Sequence, residues 1–191
     1  MTDVDRTGSA CEELYRYLRL IAGGKAGGRF IEIRQATRSG GMNQHFIPVR
    51  QIGRAHQLIR TLAPTTDVYT GVLLRDRRAG GRDAVSTAHL VFVEIDAPDA
   101  ECKLAAFHRP TVVIGSGTPG HVHAYWRLRQ PVTVVELERA NRRLAQRLGG
   151  DNASVDAARI LRPLSVGRAE PACILPACSC ADASVTERGS R

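Results

Sequence analysis

His89-Leu-Val-Phe-Val-Glu-Ile-Asp96 decides how this chain reads. Its β-branched and aromatic residues predict a strand, which Ala97-Pro98 ends. Side chains alternate along a strand, so Val91, Val93 and Ile95 share one face while Phe92, Glu94 and Asp96 share the other. Two acids therefore project side by side from an otherwise apolar run. Like charges at that spacing repel, which favours protonation unless a cation stands between them. Hard oxygen donors suit Mg²⁺ or Mn²⁺, and two-metal phosphoryl-transfer sites hold ions about 3.5–4 Å apart, a span such a pair can bridge. The plainer alternative is a strand whose solvent face is simply acidic. The position of the pair, at the end of an apolar run, favours the metal.

Downstream, Thr111–Ile114 and Val122–Leu128 predict a strand pair around the turn Gly117-Thr-Pro-Gly120. On the return strand Val122, Ala124, Trp126 and Leu128 share an apolar face, with Trp126 read as core, and His121, His123, Tyr125 and Arg127 share a polar one. If this hairpin pairs with the acidic strand, imidazoles, guanidinium and carboxylates meet on one open surface. That surface offers cations for a triphosphate beside oxygens for its metal. A third acid is wanted, and Asp156 in Ser-Val-Asp-Ala-Ala-Arg-Ile-Leu is the candidate. Asp151, beside Gly149-Gly150, reads as a cap or turn residue.

Further out, Ser9-Ala-Cys-Glu12 reads as a capping box opening a helix with Leu14, Leu18 and Ile21 on one face. Strands are expected at Phe30–Arg34, His45–Val49 and Asp67–Leu74. A helix through Ile52, Ala55, Ile59 and Leu62 stops at Pro64, and a short one spans 99–107. Thr133-Val-Val-Glu136 is a second capping box, opening a helix with Leu137, Leu144 and Leu148 that stops at Gly149-Gly150. Arg75–Arg82 is a basic, Gly-containing loop. The expected fold class is α/β (α+β), a mixed, largely antiparallel sheet with flanking helices. Three parts are expected: an N-terminal helix and Gly-rich linker over 1–27, a catalytic domain over 28–163, and a loosely ordered tail over 164–191, where periodicity gives way to Ala, Ser, Cys and Pro.

The 191 residues carry 27 Lys+Arg against 19 Asp+Glu, a net charge of +8, which favours a polyanionic partner such as nucleic acid. No stretch approaches the roughly 20 apolar residues of a membrane span and no signal-peptide pattern is present, so a cytoplasmic protein without a membrane partner is expected. Of the five cysteines, Cys11 and Cys102 read as reduced, packed thiols in helices. Cys173, Cys178 and Cys180 match no zinc spacing.

Taken in order, Val-Phe-Val-Glu94-Ile-Asp96, Ser116-Gly-Thr-Pro-Gly…His123 and Val155-Asp156 resemble the archaeo-eukaryotic primase superfamily. The RepB-like plasmid and phage primases are the nearer resemblance, through Asp67-Val-Tyr-Thr-Gly-Val, the Arg-rich loop to Gly80-Gly81-Arg82, Glu94-Ile-Asp-Ala-Pro98, His123-Ala-Tyr-Trp and Asp156-Ala-Ala-Arg-Ile-Leu-Arg-Pro163. The resemblance implies an RRM-like primase-polymerase core and a DNA primase-polymerase-type nucleotidyl transferase of plasmid or phage replication. It implies Glu94, Asp96 and Asp156 as catalytic metal ligands for Mg²⁺ or Mn²⁺. It further implies Ser116 and His123 at the nucleotide's triphosphate, with Arg75 and Arg162 on the nucleotide side, and it implies a single-stranded DNA template, nucleoside triphosphates and a replicative helicase as partners. Two departures stand out. The first acid is Glu94 where the superfamily usually has Asp, and Arg162-Pro-Leu-Ser-Val-Gly-Arg168 replaces the usual continuation. A shortened, weakened member is therefore expected.

Two other readings use the same residues. His121-Val-His123 also fits a rolling-circle nicking endonuclease, in which two histidines hold a metal and a tyrosine attacks DNA. The tyrosines are Tyr15, Tyr17, Tyr69 and Tyr125, none on the helix after the motif. A catalytically degenerate nucleic-acid-binding replication protein would share the basic surface and not the chemistry.

Overall fold

The computed structural model describes residues 3–23, 27–116, 118 and 120–163. The tail over 164–191, with Cys173, Cys178 and Cys180, lies outside the described residues. Helix α1 (Asp3–Ala22) is followed by the hairpin β1 (Phe30–Ala36) and β2 (Met42–Pro48), then α2 (Ile52–Leu62) and β3 (Val68–Gly71). The second half runs β4 (Thr87–Asp96), α3 (Ala100–Ala105), β5 (Val112–Gly115), β6 (His121–Thr133), α4 (Val134–Leu148) and β7 (Ile160–Leu161). No described helix is long and apolar enough to cross a membrane.

The strands form two sheets rather than one. The first has the order β2-β1-β3-β7 and the second β4-β6-β5, and every strand pairing is antiparallel. The α+β class and its antiparallel bias agree with the sequence, but the chain divides its strands between two layers. Both faces of β4 are therefore covered. Leu90 and Phe92 join the main core with Ile31 and Ile33 of β1, Tyr125 of β6, and Leu14, Tyr17 and Leu18 of α1. Val93 and Ile95 enter a second core beneath Leu104 of α3 and Ala145 and Leu148 of α4. The alternation read from the sequence is this division between two cores. Each fully buried side chain of this size contributes on the order of 1.5–3 kcal/mol.

Helix α4 is set by its ends. The Thr133 hydroxyl accepts from the Glu136 N–H, and the Glu136 carboxylate accepts from the Thr133 N–H, a reciprocal capping box. Gly149 ends the helix in the left-handed conformation, φ 67°, which a side chain disfavours. The N-terminal capping box does not hold: α1 begins at Asp3, so Ser9 lies inside the helix rather than before it. Cys102 is exposed rather than packed, and Cys11 is half-buried.

Candidate active site

Register brings the polar residues together. In the β4–β6 pairing Asp96 stands opposite His121, Glu94 opposite His123 and Phe92 opposite Tyr125. Strand β5 continues the rows, with Ile114 opposite His123, and the Ser116 N–H donates to the His121 carbonyl at 2.9 Å. The face that is apolar core at Phe92 and Tyr125 thus becomes polar toward the strand end. Side-chain exposure records the gradient, from 2% at His123 and 21% at Glu94 to 36% at His121 and 45% at Asp96. Asp96 Oδ1 lies 2.8 Å from His121 Nδ1, and Glu94 Oε1 lies 3.4 Å from His123 Nε2. Of the polar face expected on β6, His121 is part-exposed, but His123 and Tyr125 are buried, so the surface is less open than the alternation suggested. Both ring nitrogens of His123 are buried with no hydrogen-bond partner among the described residues, so Nε2 meets Glu94 only through the 3.4 Å ion-pair contact.

The charge on Glu94 is strongly favoured. The neighbouring His123 imidazole, the Ser154 hydroxyl and the Arg159 guanidinium hold its carboxyl down to about 2, against the opposing effect of burial. The upward shift expected from an acid two residues away is not what the site shows, since the net shift is downward.

The segment after α4 docks on the free edge of β4. The Asp151 N–H donates to the Glu94 carbonyl at 2.9 Å. Asn141, fully buried on α4, accepts from the Phe92 N–H at 3.0 Å and donates to the Val155 carbonyl at 3.2 Å. An edge strand's unpaired backbone groups are satisfied in this way. The Ser154 hydroxyl lies 2.6 Å from Glu94 Oε2 and 2.7 Å from Asp151 Oδ2. Asp151 does turn its own backbone, accepting from the Ala153 N–H, as its position after the glycines suggested. It also reaches the Glu94 neighbourhood. Asn141, Asp151 and Ser154 are the residues that sequence reasoning missed here. Asn141 alone carried a signal, being polar within the apolar stripe Leu137, Leu144, Leu148.

Asp156 belongs to the same segment but points its carboxylate elsewhere. It accepts from the Ala158 N–H at 2.9 Å and pairs with Arg159 at 3.1 Å. Among the described residues no three His, Cys, Asp or Glu side chains gather into a metal-holding group. Glu94 and Asp96, adjacent on one face, fit the oxygen-donor chemistry of a hard divalent ion. The trio expected from the sequence is not assembled, because Asp156 caps its own turn.

Arg75 requires a correction. It is fully buried and donates to Glu32 Oε2 at 2.7 Å, to the Ala157 carbonyl at 2.8 Å and to the Ala158 carbonyl at 2.9 Å. Every face of its guanidinium is engaged inside the protein, so it braces the backbone next to Asp156 instead of meeting nucleotide or template. Its place at the start of an Arg-rich loop had suggested solvent. Arg162 lies at the end of β7, 5.6 Å over the Tyr69 ring and 3.4 Å from Asp67. Tyr17 is buried in the core, 2.9 Å from the Thr70 hydroxyl, and Tyr15 packs edge-on to His56, so neither stands with His121 and His123 as a nicking nucleophile would.

Neither a protein-family model nor a curated protein matches this sequence. Solved structures do. The chain superposes on the AEP domain of the primase-polymerase (PrimPol) of cyanophage S-2L with a TM-score of 0.65 at 19% identity, over 87% of this chain and 90% of that one. The fold is that of a primase-polymerase AEP domain. Primase RepB′ is similar at a TM-score of 0.60 and 21% identity, over 82% of this chain and 50% of that one. The catalytic domain of RepB′, solved in complex with initiator DNA, gives 0.57 and 18%, over 80% of this chain and 77% of that one. The primase-polymerase likeness read from the motifs thus holds at the level of the fold.

Proposed function

We propose that this chain is a metal-dependent nucleotidyl transferase that extends or primes strands on a single-stranded DNA template, using nucleoside triphosphates in plasmid or phage replication. The observation that carries the reading is the cross-strand register that sets Glu94 beside His123 and Asp96 beside His121, on a fold shared with primase-polymerases.

Glu94 and Asp96 would hold the divalent ion, and Asp156 would join them as the third acid only on leaving the Ala158 N–H and Arg159. When bound, Mg²⁺ or Mn²⁺ would activate a 3′-hydroxyl and neutralise charge on the departing pyrophosphate. The chain's own residues supply the rest. Ser116 and His121, at the part-exposed end of the rows, would contact phosphate oxygens, the role expected of His123, which is 2% exposed. His123 stands behind them and orients Glu94. Glu94 stays ionised throughout the neutral range because His123, Ser154 and Arg159 favour its charge. Those same partners would compete with a metal for its oxygens, and a weakened activity is the expected consequence.

Template-directed incorporation of labelled nucleotide by the purified chain, with Mg²⁺ or Mn²⁺, is the test. Synthesis that disappears in Asp96→Ala while DNA affinity persists supports the transferase. Salt-sensitive DNA binding with no synthesis under any metal would instead favour a degenerate binding protein.

A further inference from the structure

The first sheet carries a feature that the acidic site does not use. Strand β2 is its edge, and between β2 and α2 lie two adjoining cavities of 480 Å³ and 260 Å³. Both are lined by His45, Ile47 and Arg54, so they form one continuous depression. The larger adds Arg50, Arg78 and Phe46. Among the described residues no carboxylate lines either cavity.

The charge here is unbalanced. Arg29, Arg34, Arg75, Arg77 and Arg82, on neighbouring segments, are each paired with an acid. Arg50, Arg54 and Arg78 have no carboxylate partner among the described residues. Arg54 reaches only the Gln51 side chain, at 3.5 Å, and Arg78 lies 5.5 Å over the Phe30 ring. His45 Nε2 is buried with no hydrogen-bond partner among the described residues, at the junction of the two cavities. Three free guanidinium groups and an unsatisfied imidazole call for an anion with several oxygen acceptors. The combined volume is larger than one phosphate needs. Half-buried Phe46 and the amides of Gln44 and Gln51, also among the lining residues, suit flat, polar-edged groups between the charges.

We propose that this groove takes the backbone of a single-stranded nucleic acid, with the arginines on successive phosphates and the bases against Phe46. The combination of a basic track with an aromatic platform is what strand binding without base readout requires. The proposal deepens the transferase reading by giving the template strand a place on the first sheet, away from the acids on β4. Its test needs no catalysis.

Fluorescence anisotropy with a labelled oligo-dT, in EDTA and across a salt series, measures the groove by itself. The triple variant Arg50→Ala/Arg54→Ala/Arg78→Ala is expected to raise the Kd at least tenfold and to flatten the salt slope by about 2, at about 0.7 per phosphate contact. The charge-matched control Arg142→Ala/Arg143→Ala/Arg147→Ala, on exposed α4 positions, should lose much less. A triple Arg→Lys variant in the groove should recover most of the binding, which separates charge from misfolding. Equal losses in groove and control variants, or unchanged binding in the groove variant, would overturn the proposal. So would full competition by inorganic triphosphate at equal phosphate concentration, which would make the groove a site for free nucleotide. Absence of synthesis by the parent chain, with oligo-dT binding and its loss in the groove variant as expected, would count against the transferase reading alone.

Discussion

The Arg75 guanidinium donates to the Ala157 carbonyl at 2.8 Å, linking a residue just after β3 to the segment that carries Asp156. The same group neutralises Glu32, which is also fully buried and paired with Arg34 at 2.6 Å. Arg75→Met would leave the Ala157 and Ala158 carbonyls without their donor and Glu32 with one cation only. Removing one partner of a buried pair costs about 3–5 kcal/mol, and the remaining Arg34 places this case near about 3 kcal/mol. Urea unfolding should show that loss as a lower midpoint at constant slope. If Arg75 met nucleotide directly, stability would stay unchanged and only the KM for nucleotide would rise.

Asn141 makes a similar argument from an uncharged group. Asn141→Leu keeps the branched shape but orphans the Phe92 N–H and the Val155 carbonyl, each at about 1–3 kcal/mol. The variant should be destabilised by several kcal/mol in chemical denaturation. Retained stability would mean that the edge of β4 finds other partners.

Glu94 predicts an acid-side dependence. A carboxyl held below its unfolded value stabilises the fold above that value and loses the effect as pH falls toward the folded one. With the folded value at about 2 and the ordinary value at 4.5, the loss falls between about pH 4.5 and pH 2. The ceiling is about 3.5 kcal/mol, from roughly 1.4 kcal/mol per unit, and solvent screening of the part-exposed carboxylate brings the effect below it. Unfolding measured in EDTA over this window should decline with pH in the parent chain and decline less steeply in Glu94→Gln. Parallel curves would remove the electrostatic account of the site.

Gly150 sits where the segment after α4 meets β4. A Cβ there would stand 2.5 Å from Val93 Cγ2 and 2.6 Å from the Glu94 carbonyl oxygen. Because the obstruction is partly backbone, Gly150→Ala must displace the segment. We expect a loss of about 1–3 kcal/mol, the range of overpacking, together with weaker synthesis, since Glu94 is the strand residue being pushed. A thermal melt and an incorporation assay on the same preparation check both.

Much of the fold was legible because it depends on local rules. Alternation in Leu90–Asp96 gave the two faces of β4, and Thr133 with Glu136 marked the start of α4. The pairing of β6 with β4, which the sequence posed only as a condition, follows from their complementary apolar faces. What could not be read depends on distant partners. Ser154 meets Glu94 sixty residues away in the chain, and nothing in Ser-Val-Asp-Ala-Ala shows which of its polar groups faces the strand. Arg75 misled because it opens a run of loop arginines while its partner, Glu32, alternates with Ile31 and Ile33 on a strand that looks half-exposed. The start of α1 was misplaced because residues 3–8 lack the apolar period that marks a helix in sequence.

The central claim is that Glu94 and Asp96 form the working pair of a nucleotidyl transferase. Its most direct test is primer extension on a single-stranded template, comparing the parent chain with Asp96→Asn, a near-isosteric change that removes one carboxylate charge. The account predicts Mg²⁺- or Mn²⁺-dependent extension that drops at least 100-fold in the variant, with template affinity within about twofold of the parent. Extension at the parental rate by Asp96→Asn would contradict it.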